Sequence, residues 1–270
     1  MRVTRVVPRR PPGRRSGRPR LRGAAVALAL AGAAAAALAV VLVLVLVLAG
    51  GGSGDGSGGR RALSADEADR LAITRFLNYR AGGRAVTVTV PSTAGGLAVT
   101  GSVDYRAGVG YGVVRGSGRD ASSDGLIEWT ATRVFVHPMA DAPAVAPASP
   151  PGSGWYGRPL TTAGSSLDSS LAIVLGLGSD RPDNAELLPQ NGAARVGRAT
   201  VRGHRVTVMN GPHDRDGKGT SGSVRYWVGP DGTMYRVRAS VASEAQPVVI
   251  DFDTHAYLSV RPLPGVTPAS

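Results

Sequence analysis

The chain has 270 residues, 31 basic and 19 acidic, for a formal charge of +12. Nine of the basic residues, all arginine, fall in the first 22 positions, where there is no acid; the remainder is nearly balanced and offers no basic surface for a nucleic acid. Cysteine is absent, which excludes thiol catalysis, thiolate metal sites and a lipid-modified cysteine anchor. With only three Phe, three Trp and seven Tyr, the core must be built mostly from Val, Leu and Ala.

Residues 1–22 read as an Arg/Pro-rich cytoplasmic tail and 23–49 as a transmembrane signal anchor. No charge interrupts Gly23–Ala49. At about 1.5 Å of rise per residue, a helix from Ala24 to Ala49 reaches roughly 39 Å, beyond the ~30 Å hydrocarbon core. Arginine flanking such a span stays on the cytoplasmic side, so the rest of the chain is expected outside. The run's length favours an uncleaved anchor, giving a single-pass protein of the cell membrane. Val47 and Ala49 before Gly50-Gly51 form a tolerable signal-peptidase pair, and cleavage there gives a secreted protein instead. Both outcomes make the domain extracytoplasmic.

Residues 50–63 read as a Gly/Ser-rich linker and 64–270 as one extracytoplasmic domain. Ser64 and Glu67 have capping-box spacing, and Ala65, Ala68, Ala72 and Phe76 share one face of a helix that Gly82-Gly83 stops. Val86, Val88 and Val90 alternate with threonines as in a strand. Leu97–Tyr105 and Val109–Arg115 form a predicted hairpin, whose second arm sets Gly108, Gly110 and Gly112 on one face. Three glycines together require something close to the backbone, a covering helix or a ligand. Leu126–His137 reads as one or two strands with a bulge near Thr130. Pro138–Gly154 reads as a surface loop. Leu167, Leu171, Val174 and Leu175 make a helical stripe, and a short helical stretch from Ala185 to Leu188 is closed by Pro189. A second meander follows, with strands at Arg195–Val201, Arg205–Asn210, Val224–Val228, Met234–Val241 and Val248–Asp253. In its last strands Arg225, Arg236, Arg238, Asp251 and Asp253 alternate with apolar residues, as on the wet face of a sheet.

Candidate chemistry is sparse. Asp214, Asp216 and Gly217 start like a calcium loop, but Lys218 takes a ligand position and no glutamate closes it, so a solvated turn is expected. Gly217, Gly219 and Gly222 match GxGxxG without the strand-to-helix setting that binds dinucleotides. Asp251 and Asp253 face one way and find arginine partners rather than a cation. The four histidines lack metal-site spacing, and there is no GxSxG elbow. Neither metal nor cofactor is implied, and a non-enzymatic role is expected.

Trp155-Tyr156-Gly157-Arg158-Pro159-Leu160, Leu167–Leu177 with Asp180-Arg181-Pro182-Asp183-Asn184, and Arg225-Tyr226-Trp227-Val228 with Asp231-Gly232 and Arg236 carry a resemblance. Over roughly Ser64 to Asp253 the order of helix, meander, helices and second meander resembles the LolA-like family of cell-envelope carriers, including the LppX and LprG type. The resemblance implies an α+β fold: a strongly curved antiparallel sheet, or half-barrel, with a few helices across its concave side and an apolar cavity between. No family site maps residue by residue. On this reading a lipid, lipoprotein or other apolar ligand fills a cavity lined by Val86, Val88, Tyr111 and Leu171. The alternative is an envelope sensor that uses the same fold to bind a membrane protein.

Overall fold

A computed structural model describes residues 59–212, 224–241 and 244–263, all within one compact unit, Gly54–Ser270. The predicted tail and membrane segment, the Asp214–Asp216 turn and the GxGxxG pattern lie outside the described residues. Among the described residues no helix is long and apolar enough to cross a membrane.

Order begins inside the predicted linker. Strand β1 (Arg61–Ala62) precedes helix α1 (Ala65–Arg80) and pairs with a strand far along the chain. The capping box forms as expected: the Ser64 hydroxyl accepts the Glu67 N–H and the Glu67 carboxylate accepts the Ser64 N–H. That carboxylate also accepts two bonds from Arg61 at 2.8 Å, which fastens the start of the domain to the helix. The buried face of α1 is rotated from the predicted stripe. It presents Ala68, Leu71, Ala72, Thr74 and Asn78, while Ala65 is exposed and Phe76 half-buried.

The first meander comprises β2 (Gly83–Val90), β3 (Leu97–Asp104), β4 (Val109–Gly116), β5 (Gly125–Thr130), β6 (Arg133–Pro138) and β7 (Tyr156–Pro159). Helices α2 (Ser166–Gly176) and α3 (Leu187–Gln190) separate it from the second, β8 (Ala194–Val201), β9 (His204–Asn210), β10 (Arg225–Val228), β11 (Met234–Ala239) and β12 (Val248–Phe252). The phase change near Thr130 is a hairpin turn rather than a bulge, for the Thr130 hydroxyl accepts the N–H groups of Thr132 and Arg133. Pro189 lies within the first turn of α3 rather than closing a helix, at a position where its missing N–H costs nothing.

All twelve strands join one antiparallel sheet in the order β1-β8-β9-β10-β11-β12-β2-β3-β4-β5-β6-β7. The β12–β2 pairing, with Ile250 opposite Val88, fuses the two meanders. The sheet is coiled between β9 and β12. The Arg202 side chain, in the β8–β9 turn, donates to the carbonyl of Phe252 at the end of β12. Three strand steps of about 4.8 Å separate β9 from β12 in a flat sheet, more than an arginine spans. One face carries Val86, Val88, Val99, Ile127, Trp129 and Ile250 beneath α1 and α2, the main apolar core. The other face is dry only in part. Val109, Tyr111, Val113 and Leu126 are covered by the 139–155 loop and the C-terminal segment, through Ala146 and Val260.

Neither a helix nor a ligand explains the strand glycines. Gly110 lies under the Trp129 ring, where a Cβ would sit 2.2 Å from the indole. Gly101 and Gly112 are cross-strand partners, and a Cβ on Gly101 would come within 2.2 Å of the Tyr111 carbonyl oxygen. Because backbone cannot yield as a side chain can, Gly101→Ala is expected to destabilise the domain by about 2–3 kcal/mol, read as a lower urea midpoint. A change inside the ±0.5 kcal/mol of ordinary surface substitutions would show that β3 and β4 can separate cheaply.

Candidate functional site

The predicted cavity residues divide between the two faces. Val86, Val88 and Leu171 meet in the helix-covered core, each with no accessible surface. A side chain with no accessible area borders no void that admits a water, so these three pack against protein in this conformation. Tyr111 lies on the reverse face, because the β4 alternation that groups it with Val109 and Val113 turns it away from the helices. A ligand reaching Leu171, Val86 and Val88 must therefore part α2 from the sheet.

Helix α2 is held by an apolar inner face and by polar contacts at its two ends. Gly164, at φ +81°, lets the chain turn into the helix, and the Ser165 hydroxyl accepts the Asp168 N–H. Leu171 and Val174 point inward, while Leu167, Ile173 and Leu175 are half-buried along the rim of the core. Gly176 follows at the far end with nothing near its would-be side chain. There the Asn78 amide of α1 donates to the Leu177 carbonyl at 2.9 Å, and Arg75 donates to the Gly176 carbonyl at 3.3 Å.

At the near end Asp168 is wholly buried. Its carboxylate takes both arms of the Arg158 guanidinium, at 2.5 and 2.7 Å, and the Thr161 N–H at 2.8 Å. Burial works to raise the carboxyl pKa, but the Arg158 pair, the Thr161 N–H and Ser165 outweigh it and hold it below the usual range. Arg158 belongs to edge strand β7, so this one ion pair clasps the helix to the sheet's last strand. Ser166 adds a bond to Glu244 at 2.7 Å.

A second feature lies on the reverse face. Thr100, Gly101, Ser102, Tyr111, Ala146 and His255 border a cleft of about 240 Å³, open solvent included. Its enclosed part has room for about one water and not for a small molecule. A C-terminal strap crosses beside it, with the Leu258 N–H on the Ser102 hydroxyl and the Leu263 N–H on Glu128 Oε1, both at 3.0 Å. Glu128 has no accessible surface, its Oε2 has no partner among the described residues, and burial pushes its carboxyl up to about 7. The Tyr111 hydroxyl, also without a partner, is pushed up to about 12 by burial and then by the Glu128 charge.

The paired aspartates separate. Asp251 stays on the strand and takes Arg236 at 2.7 Å. Asp253, at φ +52°, turns off the strand end and pairs with Arg84, which also donates to Asn78 Oδ1 at 2.6 Å. Among the described residues no three His, Asp or Glu side chains gather as a metal site. The Arg158–Asp168 clasp and buried Glu128 escaped the sequence reading. Glu128 had one signal, a lone acid within the apolar run Leu126–Trp129.

No family model matches the chain, and no curated protein matches it. Among solved structures it is similar to a domain described as an outer membrane lipoprotein-sorting protein, from Vibrio parahaemolyticus, at 11% identity and a TM-score of 0.28. That match covers 70% of this chain and 91% of the other. A DUF1329 family protein from Desulfovibrio piger is similar at 12% identity and a TM-score of 0.28, over 70% of this chain and 88% of the other. At that TM-score neither match assigns a family.

Proposed function

We propose that this chain is a non-enzymatic module that admits an apolar ligand, a lipid or the acyl part of a lipoprotein, between α2 and the sheet. One observation carries the reading: an apolar helix with a glycine at each end lies over an apolar sheet face, clasped at its near end by the Arg158–Asp168 pair. Lifting it exposes Leu171 and Val174, at a cost of about 1.5–3 kcal/mol for each side chain. A ligand that replaces them offsets this at about 0.8 kcal/mol per buried methylene. The Arg-rich tail and the uncharged 23–49 run support a membrane-held, extracytoplasmic setting for this exchange. The full chain purified in mild detergent is expected to yield a stoichiometric lipid on organic extraction, read by mass spectrometry. Without a co-purified lipid, it should take up an apolar fluorescent dye that a fatty acid displaces. An empty extract combined with no displaceable dye binding would overturn the proposal.

A further inference from the structure

The reverse face of the second meander carries an arrangement that stability alone does not explain. Asn210, Arg225, Arg238 and Val249 are successive cross-strand partners on β9, β10, β11 and β12. Two arginines thus stand directly opposite each other, and like charges in that position destabilise a sheet. In the adjacent row Trp227 faces Arg236, which faces Asp251. Asp251 is committed to Arg236 through two bonds, at 2.7 and 3.1 Å. Arg225 donates its Nε to Asn210 Oδ1 at 3.1 Å, and among the described residues its two terminal nitrogens have no acceptor. Arg238 has no acceptor among the described residues. Its Nε is buried without a hydrogen bond, and its guanidinium lies 5.2 Å from the centre of the Trp227 ring. Burial, then the neighbouring charges of Arg236 and Arg225, holds this guanidinium below its usual pKa. Among the described residues the three arginines share one carboxylate, that of Asp251.

We propose that Arg225 and Arg238, with Asn210 beside them and Trp227 as the floor, form a binding site for a phosphate oxyanion. The planar fork of each guanidinium matches two phosphate oxygens, and one phosphate between two opposed forks converts their repulsion into charge-assisted bonding. Trp227 holds Arg238 through its ring face and limits the conformations that binding must fix. The site is independent of the apolar ligand. Tyr226 and Val237, the neighbours of these residues along β10 and β11, turn to the opposite, helix-covered face and join the main core.

The test uses the full chain in nonionic detergent, with sodium chloride matching the ionic strength throughout. Inorganic phosphate and glycerol phosphate represent a soluble source; dihexanoyl phosphatidate, kept below its micelle concentration, represents a lipid headgroup. Binding is expected to raise Tm by several degrees at saturation and to change the fluorescence of Trp227. Arg238→Gln should weaken binding at least tenfold and leave the phosphate-free Tm no lower than in the native chain, since it removes one of two opposed cations. Arg225→Gln gives the same reading if the first variant fails to fold. A response to all three compounds identifies a general phosphate site, and a response to phosphatidate alone identifies a headgroup site. The site is overturned if no compound moves Tm beyond chloride, or if both variants respond like the native chain.

Discussion

Arg158→Ala is expected to destabilise the domain by about 2–3 kcal/mol at neutral pH. The substitution strands Asp168, which has no accessible surface and keeps only the Thr161 N–H and Ser165. The figure sits at the low end for a broken buried pair because the Arg158 side chain is itself 43% exposed and loses little hydration in the native state. The pH dependence fixes the mechanism. In the native chain the Asp168 pKa is lowered, so its stabilisation is present above the unfolded value of 3.8 and is lost as pH falls below it. Without Arg158, burial is the largest remaining influence and raises that pKa. The variant therefore loses stability as pH rises, and its deficit against the native chain is greater at pH 7 than at pH 4. Urea unfolding at both values measures this, and Asp168→Asn in the same background should recover part of the loss. A deficit that does not vary with pH would mean that Arg158 acts through packing alone. Because the clasp holds α2, the same variant should take up an apolar dye faster than the native chain.

Glu128 is expected to make the domain less stable as the solution becomes more alkaline. Its carboxyl is pushed up to about 7 from an ordinary value of 4.5 by burial, against which the single Leu263 N–H is the weaker influence. A raised carboxyl pKa penalises the charged form in the folded state. Stability is therefore full below about 4.5, declines as pH rises towards 7, and levels off beyond it. At 1.36 kcal/mol per unit of pKa, the decline amounts to at most about 3 kcal/mol. Glu128→Gln should flatten that part of the Tm-against-pH curve, because the amide does not titrate there. If the slope persists in Glu128→Gln, another group is responsible.

Much of the architecture is legible in local pattern. Alternating valines mark β2, glycine and aspartate mark the β10–β11 turn, and Ser64 with Glu67 announces the start of α1, because each depends on residues a few positions apart. The 130–133 turn is hidden from local pattern because a change of phase in an apolar run looks the same for a bulge and for a tight hairpin. Tyr111 shows a deeper limit. Its strand is apolar on one side and glycine on the other, so period-two alternation groups it correctly with Val109 and Val113 yet says nothing about which side meets the helices. The loop and strap that dry its surroundings have no periodic signal at all.

The positions of most strands and of the two longer helices, and the apolar composition of α2, follow from the chain read linearly, since side-chain direction repeats every two or 3.6 residues. Long-range pairing alone joined β12 to β2, set Arg225 across from Arg238, and brought Arg158 to Asp168. Those contacts depend on register and sheet coiling, which arise only when distant segments exclude water together and which no short stretch encodes.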